Sequence, residues 1–206
     1  MPKAGIKYGP RIAAPDYQKL AQEAEQQVLK QLGIARPEDL IGKQPTDLVV
    51  KAWSVIEQAD AELGAYLDER DQALAHLYFY EPRLGLARTA GLSTMGYRGA
   101  IARIVFGDKK HALPDVRSNE ELAMIGKELG AKRVKDAEAQ LLEAAPLVYA
   151  ARARRDIAVR YMQEAVLALS MPPYEWTPDQ IADHVGVDRS LIYKQRSAAG
   201  KRHGLM

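Results

Sequence analysis

From Pro45 to about Tyr78 the apolar residues fall at alternating steps of four and three, and this run limits the available folds more than any other feature. Val49, Trp53, Ile56, Asp60, Leu63, Leu67, Arg70, Leu74 and Leu77 form the series. Such spacing keeps returning to one side of an α-helix, so it predicts a single helix of about nine turns with Thr46 as its cap and Gly64 as a possible kink. Asp60 and Arg70 interrupt the seam with charge. They favour a helix buried by its own chain, with self-association along the seam as the alternative. A helix of this length needs partners of similar type. Elsewhere alanine is common, β-branched runs are rare, and apolar residues recur at three and four rather than two. The expected fold class is all-α.

Before the long helix, residues 1–15 mix Gly, Pro and basic residues without periodicity and read as a flexible tail. Asp16 to Leu32 reads as a helix with Leu20, Ala24 and Val28 on one face and Gly33 as its stop. Residues 34–45 read as a connector. Gly107 to Ser118 is polar and contains a proline, the composition of a boundary. Ser118 and Glu121 then form a capping-box signal for helical sequence that runs to about Leu167, with breaks expected near Gly130 and Pro146. The adjacent Pro172 and Pro173 exclude a helix interior. The expected organisation is an N-terminal helical domain over 16–107 and a C-terminal one over 118–206.

At 206 residues and 47% hydrophobic content, the chain is long and apolar enough to bury cores. Its formal charge is only +2, so attraction to polyanions depends on where the charges lie. Cysteine is absent, which removes thiolate chemistry, Cys-based zinc sites and disulfides. No signal peptide or membrane span is read, and the expected location is the cytoplasm. His76, His111, His184 and His203 have no metal-ligand spacing, and no phosphate-binding glycine loop follows a strand. Neither an enzyme, nor a metal, nor a cofactor is expected.

The two halves of the sequence repeat. RDQALAHL at 70–77 resembles RDIAVRYM at 155–162, and each is followed by a pattern of helix, glycine turn and helix. With Gly91 aligned on Gly186, Leu86 matches Ile181, Ala87 matches Ala182, Ala90 matches Val185, Leu92 matches Val187, and Ser93 matches Asp188. The extra residues in the second copy fall at the Pro172–Pro173 connector.

At these residues both copies, about 83–104 and 177–198, resemble the helix-turn-helix of bacterial or phage DNA-binding proteins. A small residue such as Ala182 lets the helices approach, Gly186 supplies the turn, and Ile181, Val185, Val187 and Ile192 set the interhelical angle. Thr177, Pro178 and Gln180 signal the first helix, and Asp188 caps the second. Gln195 departs from the pattern, which usually has an aliphatic residue there. The resemblance implies that Arg189, Ser190, Tyr193, Lys194, Arg196 and Ser197 face DNA in the second copy, where Arg suits guanine and the others suit phosphates. In the first copy the corresponding set is Thr94, Met95, Arg98 and Arg103, with Tyr97 inward. Gly96 and Gly99 weaken that helix.

Charge is segregated in the same sense. Residues 83–110 carry Arg83, Arg88, Arg98, Arg103, Lys109 and Lys110 against Asp108, whereas acids outnumber bases about twofold over 16–71. The resemblance therefore implies sequence-specific binding of double-stranded DNA through the major groove, most simply as a transcription regulator. A structural or assembly role on DNA, in nucleoid organisation, partition or phage packaging, is the alternative. Double-stranded DNA is the expected partner, with a homo-oligomer through the long helices as the alternative to burial within one chain, and no membrane.

Overall fold

The computed structural model describes residues 5–35 and 43–205 of the chain. All regular structure among them is helical: α1 (Tyr17–Leu32), α2 (Pro45–Phe79), α3 (Leu86–Thr89), α4 (Thr94–Phe106), α5 (Asn119–Glu128), α6 (Ala137–Leu169), α7 (Pro178–Val185) and α8 (Arg189–Arg202). The all-α expectation holds. In order, a short helix, a long helix and a pair joined by a glycine turn occur twice.

Two boundaries differ from expectation. The long helix begins at Pro45, so Thr46 lies inside it; proline suits the first helical turn because its missing N–H would have no partner there. α6 runs through Pro146 without ending. Leu141, Ala144, Ala145 and Val148 are buried on either side of that proline, and their packing holds the turn that its lost hydrogen bond weakens. Most of the connector before α2 lies outside the described residues.

The chain separates into two compact units, and neither is a continuous segment. One comprises Met1–Leu20 with Glu62–Tyr149, and the other Ala21–Ala61 with Ala150–Met206. This differs from consecutive domains over 16–107 and 118–206. The division cuts within both long helices, so each unit receives the first part of one and the second part of the other.

In the unit containing α7 and α8, Val28, Leu29 and Leu32 of α1 pack with Val49, Ala52 and Ile56 of α2 and Met162, Val166 and Leu169 of α6. Arg155 Nε donates to Asp60 Oδ1 at 2.6 Å, while Tyr174, just past α6, donates its hydroxyl to Gln44, just before α2, at 3.1 Å. These contacts set the two helix parts antiparallel. Ile181, Ala182 and Ile192 complete the same core, which ties α7 and α8 to the long helices.

The unit containing α3 and α4 has a separate core of Leu74, Leu77 and Phe79 from α2, Leu86, Ala90 and Ile101 from the helix pair, and Leu122, Ala137 and Leu141. A Cβ on Gly126 would lie 2.6 Å from Cβ of Phe79, so α5 approaches the end of α2 as only glycine permits. Buried His76 accepts the Val134 N–H at Nδ1 over 2.8 Å, and the Tyr80 hydroxyl donates to the Ala131 carbonyl over 2.7 Å. Those bonds fasten the connector before α6.

Residues 5–15 are not a loose tail. Ile6 and Ile12 are buried in this core, Gly9 N–H donates to the Pro82 carbonyl at 2.8 Å, and Lys7 exchanges two backbone hydrogen bonds with the Asn119 side chain. The segment is extended, so its two isoleucines show no helical period. Residues 1–4 lie outside the described part. The α2 seam is likewise buried within the chain at Val49, Ile56, Arg70, Leu74 and Leu77, whereas Trp53, Leu63 and Leu67 in its middle are half-buried and Asp60 is exposed.

Candidate nucleic-acid interface

The α7–α8 pair forms as its sequence directs. Thr177 accepts from the Gln180 N–H, and Gln180 Oε1 accepts from the Thr177 N–H at 2.8 Å, completing a capping box. α7 ends on Gly186 at φ 78°, a conformation that costs a glycine little. Asp188 then accepts the Ser190 N–H at 2.7 Å and starts α8. Hydrogen bonding from the Ser190 side chain, and then from its N–H, holds the exposed Asp188 carboxyl below its ordinary value. Ile181 and Ile192 are fully buried between the helices, fixing their mutual angle.

Arg189, Ser190, Tyr193 and Lys194 are exposed, and Arg196 and Ser197 are half-buried. Offsets of one, four, five, seven and eight residues from Arg189 place all six on one side of α8. The helix contains no acid. Arg189 lies 3.7 Å from Asp179, but with its side chain 70% exposed this pair is loose and solvent-screened.

Gln195 is explained by its partner. Gln163 of α6 donates to Gln195 at 2.9 Å while accepting from Arg202, and Glu164 holds Arg202 at 2.5 Å and His203 at 2.8 Å. A polar network therefore fixes the later turns of α8 where an aliphatic contact was expected.

The α3–α4 pair is different. α3 has only four residues, and Gly91 turns the chain at φ 66°. A Cβ there would meet Tyr17 at 3.0 Å and Tyr149 at 3.1 Å, so two rings close over the turn. Tyr17 also donates its hydroxyl to the Thr89 carbonyl, and burial pushes its ionisation up to about 12. Ser93 caps α4 by accepting the Gly96 N–H at 3.0 Å. Tyr97 turns inward against Tyr78 with its ring centroid 5.9 Å away, and burial raises its pKa.

Thr94, Met95 and Arg98 are exposed together on the first turns of α4, Met95 at 86%. Continued by one turn, that side of the helix reaches Ile101 and Ala102, both buried. Arg103 is not part of it. Its guanidinium donates to Asp71 Oδ2 at 2.6 Å, and Arg70, with a side chain only 2% exposed, binds the other oxygen through Nε at 2.9 Å. Arg103 is exposed, as its sequence position implies, but its guanidinium is engaged by an acid 32 residues earlier that nothing local shows.

Among the described residues no group of three potential ligands could hold a metal, and no helix is long and apolar enough to cross a membrane. Comparison with protein-family models, with curated proteins and with solved structures finds no match to the chain.

Proposed function

We propose that this protein binds double-stranded DNA through a helix-turn-helix formed by α7 and α8, with α8 entering the major groove. The observation that carries the reading is the acid-free side of α8, where Arg189, Ser190, Tyr193 and Lys194 stand exposed beyond a capped glycine turn. Arg189 can pair with a guanine edge through two donors, and Lys194 can neutralise phosphate without fixed geometry. Ser190 and Tyr193 supply hydroxyls for phosphate or base contacts. Recognition of this kind uses side chains at the start of the second helix, which Asp188 and Ser190 anchor. A cytoplasmic regulator of transcription is the simplest protein that would need it.

Fluorescence anisotropy with genomic fragments at two salt concentrations tests the proposal, followed by selection of the tightest-bound sequences. Specific binding should exceed binding to arbitrary duplex by about a thousandfold or more. Arg189→Ala with Lys194→Ala should erase most of that ratio. If affinity and sequence preference survive the double change, α8 is not the reading helix. Binding that is strong but indifferent to sequence would instead favour a structural or assembly role on DNA.

A further inference from the structure

Arg11 and Arg88 face a cleft that the preceding reading does not use. Its volume is about 210 Å³, and its lining is Arg11, Ile12, Ala13, Ala14, Gly85 and Arg88. That is below the roughly 300–1,000 Å³ of sites for drug-sized ligands. A phosphate group with its first waters is the scale that fits. No carboxylate lines the cleft, and neither guanidinium has an acid partner among the described residues. Neighbouring arginines contrast with them: Arg83 is held by Glu81 and Glu138, and Arg103 by Asp71.

The frame is built rather than incidental. On one side Gly9 N–H donates to the Pro82 carbonyl, and on the other the buried Thr89 hydroxyl shares its one proton between the Gly85 carbonyl at 3.3 Å and the Ile12 carbonyl at 3.4 Å. Ile12 is buried between these attachments, so the backbone carrying Arg11 is fixed against the start of α3. Gly85, at φ 86°, passes within 3.5 Å of Arg11 Cγ when a Cβ is added, leaving the floor narrow and without a side chain. The backbone that carries the two arginines is thus held in place while their guanidiniums stay exposed to an incoming anion.

We infer that the Arg11–Arg88 cleft binds a phosphate group. Its nearest source is the DNA backbone, a step that rests on the proposed function: Arg88 lies on the first helix of a helix pair, the element that crosses the backbone in helix-turn-helix complexes. The first pair then grips and positions, because α4 exposes few base-reading groups, while α8 reads. A free phosphate-bearing small molecule would present the same chemistry.

The test begins without DNA. Inorganic phosphate is titrated at constant ionic strength into the ¹⁵N-labelled full chain, and the amides of Ala13, Ala14, Gly85 and Arg88 are followed. Saturable shifts at these residues with Kd of about 1 mM or tighter, weakened about tenfold in Arg11→Gln/Arg88→Gln, support the cleft. Absence of saturable shifts there, or equal affinity in the double variant, overturns it. Both arginines are exposed, and a thermal melt verifies that the variant is folded.

A second arm measures duplex binding against salt. With a backbone phosphate as source, the double variant loses about one to two from the slope of log K against log salt, and affinity falls alike on all sequences. An unchanged slope alongside weakened phosphate binding assigns the cleft to a small phosphate-bearing ligand. If the unaltered chain binds no duplex, the DNA reading fails, and the phosphate titration still decides the cleft.

Discussion

Asp71 carries more of the structure than its exposure on a helical wheel would indicate. Its two oxygens are divided between Arg70, which is buried, and Arg103, which is 44% exposed. Removing the carboxylate strands the Arg70 guanidinium in the core of its unit. Asp71→Ala should therefore cost about 3–5 kcal/mol, read as a lower urea midpoint with an unchanged slope. Arg103→Ala should cost far less, because Arg70 would still neutralise the acid. Equal losses in the two variants would show that Arg103, not Arg70, is the partner that matters. Asp188 makes the opposite kind of contribution, at the surface. Its carboxyl is held down by the Ser190 side chain and then by the Ser190 N–H, so its charged-cap stabilisation is complete above the ordinary aspartate value and disappears as pH falls through the lowered folded value. Compared with Asp188→Asn, which retains a neutral cap, the native protein should be more stable near neutrality, and the difference should vanish in strong acid. A difference that grows on acidification would contradict the assignment. The cap was legible in the sequence because Asp188 and Ser190 are two positions apart; the Asp71 network was not, since its partners come from different helices.

At the scale of elements, the sequence encodes local contacts within a few residues and leaves distant ones without a local signal. The Thr177–Gln180 box, the Gly186 turn and the inward Ile181 and Ile192 are all encoded within a few residues, and the structure has them. Gln195 departs from the local pattern because its partner, Gln163, lies 32 residues away. Ile6 and Ile12 gave no periodic signal because the chain there is extended and is held by bonds to Pro82 and Asn119. At Pro146 local sterics predict a break, but buried alanines and Val148 around it supply packing that a local rule omits. It still lacks a backbone donor in the interior of α6. Pro146→Ala should raise stability by about 2 kcal/mol, the helix-propensity gain reduced by the greater freedom of the unfolded chain. Thermal and urea denaturation of the variant measure this directly. No gain would mean that the neighbours are fitted to a bend that alanine does not reproduce.

The whole molecule is arranged so that neither half of the sequence owns a core. Residues 1–112 supply Val28, Leu29, Val49 and Ile56 to one unit, but Met162, Val166, Leu169, Ile181 and Ile192 of that core come from beyond residue 112. In the other unit, Leu74, Leu77 and Ile101 meet Leu122, Ala137 and Leu141 across the same sequence boundary. The repeat in sequence suggested two domains in succession because similarity shows which segments are alike, not which ones pack together. A consequence is that a fragment of residues 113–206 contains the complete α7–α8 pair yet lacks half of the surface that buries it. Alone it should be poorly helical and melt without a sharp transition. Residues 108–112 are all exposed, so separating the chain after Ala112 breaks no buried contact. Mixed with residues 1–112, the fragment should regain helicity and a cooperative melt whose midpoint rises with concentration, as mass action requires of a folded state assembled from two chains. Circular dichroism of each fragment and of an equimolar mixture decides the matter. A cooperative, concentration-independent melt for 113–206 alone would mean that its helices bury their apolar surfaces without α1 and α2, and that the division of each core between the two halves is not required for folding.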